Sequence, residues 1–122
     1  MVLTTVHLSI SLDGYIAGPE QSRDQPIGRR GHDLHTWHMG DSRETAGDVA
    51  AAEWLAGPHG AVVMGRNMFG PVRGEWDEPW DGWWGDEPPY HAPVFVLTHH
   101  EREPVEMAGG TTFFFVTEGF AE

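Results

Sequence analysis

The chain has 122 residues and a formal net charge of −12, with 19 acidic side chains against seven cationic ones, all arginine, and no cysteine. That length allows one domain with a modest core. The absence of cysteine excludes a disulfide framework, a thiolate nucleophile and a Cys-type zinc site, and so acidic a surface repels the phosphate backbone of nucleic acid.

The first 14 residues, "MVLTTVHLSISLDG", lack a basic leader and a small-residue cleavage site, and no apolar stretch approaches membrane length. A cytoplasmic protein without membrane attachment is expected. In "VHLSISL" (6–12), Val6, Leu8, Ile10 and Leu12 alternate with His7, Ser9 and Ser11, which predicts a strand with one buried face. Asp13-Gly14 ends it as a turn signal, and a polar loop rich in Gly and Pro follows to about Arg30. "DLHTWHM" (33–39) reads as a short helix. "DVAAAEWLA" (48–56) reads as a better one, with Asp48 as N-cap and Gly57-Pro58 as its end.

Three apolar runs come next: "AVVM" (61–64), "VFVLT" (94–98) and "TTFFFVT" (111–117). Continuous runs of this kind suit central strands covered on both faces. Alternation of strands with helix predicts an α/β fold with a largely parallel sheet, as one domain over residues 1–122 without repeats or linkers. The final "VTEGFAE" (116–122) reads as a strand end, a cap-like Thr117 and the beginning of a helix. It is expected either to fold back as coil or to belong to a longer product.

Polar residues concentrate where the predicted strands end. Gly65 after the second strand allows a tight turn. A helix begun there would point free N–H groups outward, and Arg66 would add a full positive charge, a combination suited to a phosphate. The alternative is a surface arginine at an ordinary strand-to-helix turn. After the third strand come Thr98, His99, His100 and Arg102. Because ligands of α/β sheets bind at the carboxyl ends of strands, the strand ends at Asp13, Arg66 and His99 read as one site.

"SISLDGYIAGP", "AVVMGRNMFGPVRGEW" and "PVFVLTHH" occur in that order along the chain. By these motifs it resembles the dihydrofolate-reductase-like family typified by the C-terminal reductase domain of the riboflavin-biosynthesis deaminase–reductase, from about residue 3 to the end. The resemblance implies a three-layer fold with a mixed, mainly parallel sheet flanked by helices. It also implies an NADPH-dependent reductase acting on a pteridine- or pyrimidine-type small molecule. By position, Gly65, Arg66, Asn67 and Met68 correspond to the segment that meets the cofactor phosphates. Leu97, Thr98 and His99 correspond to the border of the adenosine and its 2′-phosphate. Ile16 and Ala17 correspond to backbone lining the nicotinamide, and Asp13 to the acidic residue near the substrate, where it would orient the acceptor or relay a proton. Read without the resemblance, Asp13 is a turn former.

The family pattern continues with a further helix, strands and a Gly-Gly turn that clasps the pyrophosphate, which this sequence does not supply. Gly109-Gly110 precedes a strand and reads as a hairpin-type turn. The deaminase motif, which needs cysteines, is absent. The sheet is therefore expected to be incomplete, which leads to the expectation of an oligomeric or aggregation-prone chain, most simply a homo-oligomer, with weak NADPH binding and little turnover. A rival is a non-catalytic remnant or partner-binding module that uses the Trp-rich segment "EWDEPWDGWWGDEPP" (75–89) as its contact surface. The plainer reading of that segment is a loop packing its indoles over the sheet. His32, His35 and His38 fall near one face of a helix and raise a metal reading, against that of a polar helix face; no metal site is assigned.

Overall fold

The computed structural model describes residues 1–37, 45–71 and 73–119. They fall into two compact units, Met1–Gly57 and Pro58–Glu122.

In the first unit the predicted strand over 6–12 does not form. A strand exists only through a ladder, and none of the described residues pairs with this segment. Its apolar positions are exposed, Leu8 and Ile10 at 58 % each. The polar positions make the contacts: the His7 ring lies 3.8 Å from the Trp54 ring, and Trp37 Nε1 donates to Ser9 Oγ at 3.2 Å. The turn at Asp13-Gly14 is present, closed by Gly14 N–H donating to Ser11 O and Ser11 N–H donating to Tyr15 O. Beyond it, Gly18 N–H donates to Ile27 O and Arg29 N–H to Pro19 O, both at 2.7 Å, so the polar loop folds back on itself. Gly28 must be glycine for this, since its φ is +76° and a Cβ would meet Gly18 O at 2.0 Å.

The short helix expected over 33–39 is a 3₁₀ turn, Gly31–Leu34, and part of the expected span, with His38, lies outside the described residues. Helix α1 spans Ala46–Leu55, two residues earlier at its start than its sequence predicts. Its cap is Thr45, not Asp48: Thr45 Oγ1 accepts from Asp48 N–H, and Asp48 Oδ2 accepts from Thr45 N–H. This reciprocal box satisfies two otherwise orphaned donors.

The second unit contains a four-stranded mixed sheet in the order β1-β2-β4-β3, consistent with an α/β fold. Strands β1 (Val62–Gly65), β2 (Pro93–Leu97) and β4 (Thr112–Val116) are parallel, and β3 (Val105–Glu106) runs antiparallel to β4. The β3–β4 connection passes through Gly109 and Gly110, both at positive φ, and Met107 N–H donates to Thr111 O, which is the hairpin turn expected there. Register places Met64, Val96 and Phe115 side by side, with Val62, Val94 and Phe113 in the next row.

That face is the core. Val94, Val96, Phe69 and Phe113 are fully buried, and Trp76, Trp80, Trp84, Tyr90 and Phe115 pack against them. Parallel strands normally need a crossover helix to cover the sheet. Here α2 (Arg66–Phe69) is a single turn, and the indoles of the following segment cover this face in its place. Gly70 permits it, since a Cβ there would lie 2.3 Å from Trp80 Nε1, which donates to Phe69 O at 2.8 Å. The opposite face is less covered than the apolar runs predict: Phe95 and Phe114 stack on each other at 5.4 Å but stay half-buried, and Val63 is 56 % exposed. No helix among the described residues is long and apolar enough to cross a membrane.

Candidate functional site

Three parallel strands end on the same edge of the second unit, and a cavity of about 400 Å³ opens there. It is lined by Arg66 and Asn67 after β1, by Leu97, Thr98, His99 and His100 at the end of β2, by Val116, Thr117 and Gly119 at the end of β4, and by Arg73. Two guanidiniums and two imidazoles face one cavity whose lining among the described residues includes no carboxylate, in a chain of net charge −12. Such a lining attracts an anion that most of the surface would repel.

Arg66 is held on three sides. Its guanidinium donates from Nη1 to Thr98 Oγ1 at 2.7 Å and from Nη2 to Gly74 O at 2.9 Å. Its Cζ lies 3.3 Å from the centre of the Trp76 ring. Burial, and secondarily the charge of Arg102, lower its pKa from the ordinary arginine value, but a guanidinium remains cationic at any working pH. Thr98 is buried and also accepts from His100 N–H at 3.2 Å, so one hydroxyl joins the ends of β1 and β2. His100 is fixed further by Glu75, whose Oε1 lies 3.1 Å from Nδ1, and by Trp76 Nε1, which donates to His100 O at 3.1 Å.

Of the residues singled out in the sequence, the structure brings Arg66, Asn67, Leu97, Thr98 and His99 to this cavity. Gly65 caps α2 with a φ of −80°, which any residue adopts, so the turn does not require glycine. What the missing side chain leaves is space: a Cβ at Gly65 would meet nothing within 4 Å. Helix α2 has only four residues, so the positive charge at this strand end comes mainly from Arg66 and not from a helix dipole. Met68 is 56 % exposed and does not line the cavity.

Asp13, Ile16 and Ala17 belong to the first unit. Asp13 is exposed, and its Oδ1 accepts from Ser11 Oγ at 2.6 Å within the tight turn. Arg102, expected among the strand-end groups, turns away: it bonds Trp80 O and Asp81 Oδ1 and lies over the rings of Trp76 and Phe115. Arg73, Val116, Thr117 and Gly119 are lining residues that sequence reasoning missed. The last three were within reach of the same strand-end rule applied to the final run. Arg73 carries no such signal, because its place depends on the path of the loop. Among the described residues no group of three or more His, Cys, Asp or Glu side chains is placed to hold a metal ion.

No curated protein matches the chain. The family model of the RibD C-terminal domain does, over residues 3–122. That span takes in all three strand ends around the cavity, and by it the chain belongs to the RibD C-terminal domain family, that of the reductase domain of the riboflavin deaminase–reductase.

Proposed function

We propose that the chain is an NADPH-dependent reductase of a pteridine- or pyrimidine-type small molecule in riboflavin biosynthesis, built as one dihydrofolate-reductase-like three-layer domain, cytoplasmic and homo-oligomeric. Family membership supports the reductase role. The observation that carries the cofactor reading is the cationic cavity at the carboxyl ends of β1, β2 and β4. Its volume suits the phosphate-bearing part of a nucleotide. Arg66 and Arg73 would meet phosphate oxygens, Thr98 and His99 would border the adenosine and its 2′-phosphate, and Asn67 would add an amide donor. The open space at Gly65 would let a phosphate approach the backbone closely. Leu97 would be an apolar neighbour of the cofactor, and Met68 enters this reading through the family resemblance alone.

NADPH supplies the hydride when bound. The protein has then to hold cofactor and acceptor in contact, exclude water and place a proton donor, since hydride transfer needs no protein nucleophile. Asp13, Ile16 and Ala17 enter this reading through the family resemblance alone: Ile16 and Ala17 as backbone along the nicotinamide, Asp13 as the group that orients the acceptor or relays its proton. The partner-binding alternative relied on the Trp-rich segment as a contact surface. Trp76, Trp80 and Trp84 instead pack against the core, which weighs against it.

Titration with NADPH, followed by tryptophan fluorescence, tests the reading. Saturable quenching at micromolar cofactor, weaker with NADH, is expected; no response to either would overturn it. Asp13→Asn is expected to depress turnover while leaving NADPH affinity nearly unchanged. An unchanged rate in a folded variant would return Asp13 to the role of turn residue.

A further inference from the structure

Three consecutive residues, Gly74, Glu75 and Trp76, contact both of the half-buried charged or titratable groups of the cavity, Arg66 and His100. Gly74 O accepts from Arg66 Nη2, Glu75 Oε1 lies 3.1 Å from His100 Nδ1, and Trp76 does both, placing its ring 3.3 Å from Arg66 Cζ and donating from Nε1 to His100 O. None of the three lines the cavity. We propose that residues 74–76 form a clamp, with Trp76 as its principal positioning residue, that fixes Arg66 and His100 in the arrangement that receives an anion. This rests on the reading of the cavity as an anion site.

The physical need is clear from the side chains involved. Arginine has a long flexible stem, and ordering it only when a ligand arrives would subtract from binding. The guanidinium here is planar and weakly hydrated, so an indole face is a suitable bed for it. A second cation complicates the site: Arg102 Cζ lies 4.9 Å from the centre of the same ring. Its charge acts on Arg66, adding to the burial that lowers the Arg66 pKa. An electron-rich ring against both guanidiniums offsets that repulsion, together with Asp81, whose Oδ1 lies 3.0 Å from Arg102 Nη2. Trp76 is itself fixed from behind, edge-on to Phe69 at 5.9 Å and to Phe115 at 5.1 Å. The core of the sheet thus sets the ring, and the ring sets the arginine.

A double-mutant cycle between Trp76 and Arg66 tests this, with inorganic pyrophosphate and NADPH as probes and calorimetry as the readout. Trp76→Leu is expected to weaken pyrophosphate binding about five- to tenfold in the parent, the range of a partly desolvated cation–π contact. In an Arg66→Ala background the same change should matter less than about twofold, because the group it positions is gone. Trp76→Phe, which keeps an aromatic face, should recover most of the parent affinity. Without any ligand, the Arg66 Nε–H signal in ¹H–¹⁵N spectra should be displaced by the indole ring current and should return to an ordinary arginine position in Trp76→Leu.

Equal losses in the two backgrounds, or an Arg66 signal indifferent to Trp76, would overturn the proposal. If Trp76→Leu does not fold, Trp76→Phe decides through the Arg66 signal, which must stay displaced. Pyrophosphate binding without NADPH binding would remove the cofactor reading and leave the clamp standing. Binding of neither probe by the parent would overturn the clamp as well.

Discussion

Replacing Phe69 by alanine is expected to destabilise the protein by about 3–5 kcal/mol. Phe69 is fully buried and touches three aromatic rings edge-on: Phe113 at 5.0 Å, Phe115 at 5.2 Å and Trp76 at 5.9 Å. Those rings come from β4 and from the loop that stands in for a crossover helix, so no single element can collapse into the space left behind. A cavity bounded by rings anchored on different elements closes poorly, which places this site toward the upper part of that range. Urea unfolding should show a lower midpoint with an unchanged slope. Phe69→Leu, which keeps most of the volume, should cost markedly less. A loss below about 1 kcal/mol for the alanine variant, the ordinary effect of a point mutation, would mean that the aromatic cluster is not the core of this unit.

The same cluster explains which parts of the molecule could be read in the sequence. Strands β1, β2 and β4 fall within one residue or so of the runs at 61–64, 94–98 and 111–117, because a buried parallel strand announces itself by an unbroken apolar run. The segment 6–12 has the alternation of a strand and is not one. Alternation specifies which face could be buried, whereas a ladder requires a partner, and partners are not encoded locally. Strand β3 has two residues and no pattern long enough to read. The helix at 46–55 is legible in the sequence, but its cap lies three residues before Asp48. Asp48 is a strong capping residue in isolation, yet it closes a box that opens three residues earlier at Thr45.

The site divides in the same way. Arg66, Thr98 and His99 were legible because each follows an apolar run, and the parallel order of β1, β2 and β4 puts those ends on one edge. Arg102 follows the same run and goes elsewhere, into the aromatic cluster and toward Asp81. Its fate was decided by the indoles around it, whose positions depend on the fold of residues 70–92. Arg73, and the contacts of residues 74–76 with Arg66 and His100, were hidden for that reason too: a loop that replaces a helix has no period to betray which of its residues turn inward.

Arg66→Ala is expected to weaken NADPH binding by about 1.5–3 kcal/mol, the range for a hydrogen bond to a charged group. Roughly, that is a ten- to 150-fold rise in Kd. Part of the loss should be screened by salt, because the cavity is open to solvent. The fold should tolerate the change. Gly74 is exposed, so water can take the place of the guanidinium at its carbonyl, and Thr98 Oγ1 keeps the donor from His100 N–H. A binding loss without a matching loss of thermal stability therefore identifies Arg66 as a ligand contact, whereas parallel losses identify it as a strut between β1 and β2. Arg66→Lys separates charge from shape. It retains the cation but cannot donate to Thr98 and Gly74 together as the planar fork does. It should recover the salt-dependent part of the affinity and little of the remainder. Equal NADPH affinity in the alanine variant and the parent would remove Arg66 from the cofactor site, and with it the principal physical support for placing the phosphates at this edge of the sheet.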